Sequence, residues 1–118
     1  MPDRTYRSVA RKAVRFLACE IKSPPFSASA RKAIGDMLRF VQDGKPLGLP
    51  HSRPLPIVGP GCHELRINDK TVTWRAIYRV DTDAILVCAV FAKKTRSLPP
   101  KIITACRRRL AAYDAKGG

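Results

Sequence analysis

The sequence predicts an α+β domain in which helices pack on one face of a twisted antiparallel sheet. Three strand-like runs follow one another between residues 62 and 92, and connections of two and three residues join them. Connections that short force antiparallel hairpins. Segments with helical apolar spacing stand before and after this meander, and segregated strands and helices of this kind describe an α+β layer architecture. No internal repeat or linker divides the 118 residues, so residues 1–118 read as a single domain with one modest core.

The elements follow in order. Residues 1–12 carry Arg4, Arg7, Arg11 and Lys12 with few core-type residues and read as a basic arm or a short helix. Val14 to Cys19 is apolar and β-prone, a first strand, and Pro24-Pro25 then stops any regular element. A helix fits residues 28–43. Ser27 or Ser29 can cap it, Ala30, Ile34, Met37, Leu38 and Val41 share one face, and Gly44 supplies a left-handed stop. Residues 45–61 hold five prolines and three glycines, so they form a long ordered loop or an edge-like connection. The meander comprises Cys62–Asn68, Thr71–Val80 and Ala84–Ala92, the last apolar at almost every position, as in a strand covered on both faces. A final helix begins after Pro99-Pro100, with Ile102, Ile103, Cys106, Leu110 and Tyr113 as its buried stripe and Arg107, Arg108 and Arg109 in its C-terminal half.

Composition narrows the partners. Apolar residues make up 45% of the chain, too many for a disordered tail. Lys and Arg outnumber Asp and Glu by 23 to 9, a net charge of +14, and such self-repulsion suits an anionic partner. Nucleic acid, an anionic membrane and an acidic protein all qualify. No apolar run approaches the ~18 residues of a spanning helix, and no secretory h-region opens the chain, so no membrane partner is expected. Cys19, Cys62, Cys88 and Cys106 show no CxxC pairing and only two histidines exist, so no metal or other cofactor is expected. Reduced core thiols imply a cytoplasmic protein.

Strand alternation makes the geometry concrete. Val72, Trp74, Ala76, Tyr78 and Val80 share one face of their strand; Thr73, Arg75, Ile77 and Arg79 share the other. A two-residue loop at Asp69-Lys70 sets Glu64 opposite Arg75 and Arg66 opposite Thr73, gathering Glu64, Arg66 and Arg75. A three-residue turn at 81–83 adds Phe91, a possible stacking surface, and Lys93, with Lys94, Thr95 and Arg96 just beyond. Such a patch suits RNA cleavage. Arginine stabilises charge on phosphorus, and a lysine depressed by neighbouring cations, or Glu64, can move the proton. The plain alternative is a surface ion pair between Glu64 and Arg75 or Arg66, worth about 0–1 kcal/mol. Arg107 and Arg108 either touch RNA phosphates or form a solvated helix face.

The stretch CHELRIN–WRAIYRV–AVFAKKT–P–ITACRRRLAAYD resembles the RelE/HigB-like toxins of type II toxin–antitoxin systems, specifically the phage-derived Gp49-like branch. The resemblance implies a RelE/ParE-like fold and a metal-independent, ribosome-dependent mRNA endonuclease (an mRNA interferase) that cuts the A-site codon and so inhibits translation. It matches Arg75 to the arginine on the scissile phosphate, Arg66 to a basic position of the second strand, and Lys93 and Lys94 to the basic pair ending the fourth. Glu64 matches the acidic ELR position of the Gp49-like branch, where RelE tends to carry lysine. The chain lacks the histidine some HigB toxins carry near the C-terminal strand, and Tyr113 matches RelE's C-terminal tyrosine loosely. RNA-binding roles are expected for Arg79, Phe91, Thr95, Arg96, Arg107 and Arg108. The implied partners are mRNA, the ribosome with its rRNA, and an adjacently encoded helix-turn-helix antitoxin, through which alone the chain would meet DNA. The competing readings are a ParE-like inhibitor of DNA gyrase and a non-catalytic basic RNA-binding module.

Overall fold

The computed structural model describes residues 12–17, 27–45, 51–70, 72–92 and 96–117. Over these the order is β1 (Ala13–Phe16), α1 (Ala28–Gln42), β2 (Ser52–Pro54), β3 (Cys62–Asp69), β4 (Val72–Val80), β5 (Ala84–Ala92) and α2 (Pro100–Ala115). The strands form one sheet in the order β1-β5-β4-β3-β2. Most of the expected basic arm, the Pro24-Pro25 break and Cys19 lie outside the described residues.

Local chemistry explains the boundaries. The Ser27 hydroxyl accepts the Ala30 N–H at 3.1 Å, which settles the N-cap of α1. Gly44, at φ +82°, takes the left-handed conformation that ends it. The proline-rich run contributes β2, a three-residue edge strand, where Pro54 removes no donor that an inner ladder would need. Gly61, at φ +73°, lets the chain turn back into β3, and Leu55 N–H bonds the Cys62 carbonyl across that hairpin at 2.8 Å.

Two expectations about the sheet are corrected. It is mixed rather than antiparallel, because β1 runs parallel to β5, with Val14 beside Ile85 and Phe16 beside Val87. No tight turn joins these two strands, so hairpin geometry does not set their direction. The helices also lie on opposite faces, not on one. On one side Ala30, Ile34, Leu38 and Val41 of α1 pack with Leu65, Ile67, Trp74, Ala76, Tyr78, Ile85 and Val87. On the other, Cys106 and Leu110 of α2 pack with Cys62, Ile77, Leu86, Cys88, Leu55 and Val58. The unbroken apolar run of β5 requires this, since both of its faces must leave water.

Register departs from expectation in two places, and neither moves a side chain to the wrong face. Arg66, not Glu64, lies opposite Arg75, and Glu64 lies opposite Ile77. Asp69 stays in the ladder opposite Val72, and Lys70, at φ +48°, begins the turn. Its carboxylate accepts the Ser27 N–H at 3.0 Å and the Trp74 indole N–H at 3.2 Å, fastening the start of α1 to the β3–β4 hairpin. A shift of two residues preserves alternation. Between β4 and β5 the ladder starts with Val80 opposite Ile85, then bulges. Ile77 faces Ala89 while Tyr78 faces Val87, leaving Cys88 as the extra residue. The bulge brings Phe91 directly opposite Arg75.

Three groups make the fold acid-sensitive: Asp69, His63 and Asp114, whose carboxyl the Arg79 guanidinium holds below its ordinary value. Hydrogen bonding from Ser27, then from Trp74, holds the Asp69 carboxyl below its ordinary value. Burial holds His63, stacked on Tyr78, below its own. Unfolded His takes up a proton near pH ~6.5 and unfolded Asp near ~3.9. In each case the unfolded chain binds more protons, so stability is full above the unfolded value and falls as pH drops through the folded one. Urea midpoints are expected to fall first below about pH 6.5 and again below about pH 4. His63→Phe should flatten the upper step and Asp69→Asn should reduce the lower, which Asp114 shares; an unchanged upper step in His63→Phe would assign it to another group.

Candidate functional site

Glu64 sits on β3 facing the α2 side, with Arg66 two residues along and Arg75 across the ladder. The edge strand adds a residue, Arg53, directly opposite Glu64. Three guanidiniums converge on this one carboxylate. Arg53 Nε donates to Oε1 at 3.1 Å, Arg66 Nε lies 3.7 Å from the same oxygen, and Arg75 Nε lies 3.1 Å from Oε2.

Burial divides the cluster. Glu64 is 0% exposed and Arg75 1%, whereas the side chains of Arg53 and Arg66 are 42% and 34% exposed. This is not the surface ion pair offered as the plain alternative. Oε2 of Glu64 and Nε of Arg66 and Arg75 are close enough for charge pairing but lack hydrogen-bond geometry. Arg75 is held further by its Nη2, which donates to the Arg96 carbonyl at 3.0 Å. Burial pushes the Arg75 guanidinium below its usual value, Glu64 opposes this, and Arg66 and Arg53 add to it. One carboxylate against three cations leaves two positive charges in excess.

Other expected residues divide by position. Phe91, half-buried, lies beside the cluster, and the Arg96 main chain caps it. Lys93, Lys94 and Thr95 lie outside the described residues. Arg79 shares the face but stands four residues from Arg75, roughly 13 Å along the strand. It is clamped between Asp81, at 2.7 and 3.0 Å, and Asp114, also at 2.7 and 3.0 Å. Asp114 and then Asp81 raise its affinity for its proton, and the clamp pins the end of α2 to β4. Arg107 donates through Nε and Nη2 to the Ile57 carbonyl, tying α2 to the loop after β2, and Arg108 is exposed on the same helix. Tyr113 packs against the α2-side core.

A concavity of about 250 Å³ opens on the opposite face between Lys12, Val41, Lys45, His63, Tyr78 and Val80. Burial lowers the proton affinity of its histidine, and the converging arginines are on the other side of the sheet. Among the described residues, no three of His, Cys, Asp and Glu gather closely enough to hold a metal ion.

Family comparison bears on this site directly. The family described as phage derived protein Gp49-like (DUF891) matches residues 24–111, which include all four members of the cluster. The chain belongs to that family. Gp49-like proteins are RelE-like toxins, so this chain is a toxin-like protein of phage derivation, of a kind typically paired with an antitoxin. No curated protein and no solved structure matches it. Within this Gp49-like chain, Arg53 is the site residue that sequence reasoning missed. Its only signal was an arginine between prolines in a run expected to be loop or edge, and nothing in that run fixed its register to Glu64. No described helix is long and apolar enough to cross a membrane.

Proposed function

We propose that this chain is the toxin of a toxin–antitoxin pair and that it cleaves mRNA held in the ribosomal A site. The observation carrying this reading is the convergence of three arginines on one buried carboxylate, in a member of a RelE-like toxin family. A phosphodiester offers two anionic oxygens and gains charge on phosphorus during in-line attack, and guanidinium forks serve both stages. The residues proposed to move protons are Lys93 and Lys94, the basic pair that follows the apolar run of β5 in the sequence. Glu64 is closed off by its arginines.

The partners proposed are mRNA, the ribosome, and an acidic or amphipathic helix-turn-helix antitoxin encoded nearby. The chain acts in the cytoplasm, and meets DNA only through the antitoxin complex.

The test is induced expression with mapping of mRNA 5′ ends. Growth arrest with new 5′ ends inside A-site codons is the expected result. Arrest with intact mRNA and a DNA-damage response would instead mark a gyrase poison. Salt-dependent RNA binding without cleavage or arrest would mark a plain binding module.

A further inference from the structure

We infer that Arg53 and Arg66, and not Arg75, form the fork that receives the RNA phosphate, with Glu64 and Arg75 holding that fork from beneath. The inference rests on the reading of the chain as an RNA-binding toxin and assigns the contact within that site.

Exposure makes the division. A phosphate arriving from solvent meets the side chains that are 42% and 34% exposed; Arg75, at 1%, lies below them against the Arg96 carbonyl. Orientation agrees with exposure. Arg53 and Arg66 both turn Nε toward the same oxygen, Glu64 Oε1. A guanidinium has five N–H donors, so using Nε leaves the four Nη hydrogens of each arginine. Among the described residues, no hydrogen bond engages those Nη groups. The two planes therefore present free donor edges from neighbouring positions, fixed by a shared anchor.

Charge completes the argument. Two arginines on one oxygen repel each other, and the single carboxylate they share with Arg75 leaves an excess of two positive charges. A phosphodiester bridging Arg53 and Arg66 neutralises part of that excess. A bidentate arginine pair also suits phosphate better than point charges do. The edge position of β2 lets Arg53 reach a ligand without disturbing an inner strand.

The experiment uses a non-cleavable, 2′-O-methylated single-stranded RNA oligonucleotide and the full chain, with fluorescence anisotropy over a range of salt. Arg53→Ala and Arg66→Ala should each weaken binding and reduce the magnitude of the log K against log salt slope by about 0.7, one phosphate contact on a single strand. Arg53→Lys should keep the slope and lose affinity. Arg39→Ala removes the same charge from the exposed face of α1 and should leave the slope at the wild-type value. Thermal melts confirm that each variant folds. A wild-type slope in Arg53→Ala, or an equal change in Arg39→Ala, overturns the fork, as does a wild-type chain that does not bind the oligonucleotide. Cleavage of ribosome-bound mRNA is scored separately. Arg53-dependent binding with no cleavage by the wild type keeps the fork and removes the nuclease reading. Wild-type cleavage by Arg53→Ala with an unchanged slope removes the fork and keeps the nuclease.

Discussion

Glu64→Ala is expected to lower the stability of the fold by about 3–5 kcal/mol, the range for removing one partner of a buried ion pair. Without the carboxylate, Arg75 remains buried with the Arg96 carbonyl and faces Arg53 and Arg66 as like charges. For a small domain that loses about 1–3 kcal/mol per molar urea, the midpoint should move down by on the order of 2 M. Arg75→Ala should cost less, because Arg53 and Arg66 still hold the carboxylate. Removing both buried charges together, as Glu64→Leu with Arg75→Met, should recover most of the loss, since apolar side chains of similar volume replace a buried pair at little or no cost. An unchanged midpoint in Glu64→Ala would refute the electrostatic account. A double variant as weak as the single would assign the loss to packing volume instead of charge.

Alternation carried more of this site than register did. Glu64, Arg66 and Arg75 share a face in any antiparallel register of even offset, so the two-residue error at the β3–β4 turn left the cluster intact. That error came from treating Asp69 as turn chemistry, when its carboxylate is engaged by Ser27 and Trp74, contacts that depend on where α1 docks. Helix α1 was legible to within a residue or two because Ser27, the 3–4 spacing and Gly44 are local signals. The parallel pairing of β1 with β5 depends on contacts between segments about seventy residues apart, with no sequence-local trace. The second helix-covered face was half visible in the apolar run of β5, which no one-sided packing could satisfy. Burial of Glu64 and Arg75 was not legible at all. Charged residues on a strand read as solvent-facing until Arg53 and the Arg96 main chain are seen to close over them.

The largest functional effect is expected at Arg66, where Arg66→Ala should slow single-turnover cleavage on ribosomes by about 10²–10³-fold, the usual consequence of deleting one preorganised donor to developing charge. Glu64→Gln separates the two roles open to the carboxylate. On charge alone, neutralising Glu64 adds a positive charge to the cluster and should tighten RNA binding. A carboxylate that orients the arginines predicts the opposite for catalysis: cleavage falls while the limbs of the pH–rate profile stay where they were. A general base has to come within about 2.6–3.2 Å of the proton it takes. Glu64 is fully buried, with Oε1 bonded to Arg53 and Oε2 against Arg75, so a ribose hydroxyl has no approach to it. The acid limb should therefore survive in Glu64→Gln at reduced amplitude. Loss of that limb would make Glu64 the base and would require the arginines to release it when RNA binds; its survival leaves proton transfer to Lys93 or Lys94.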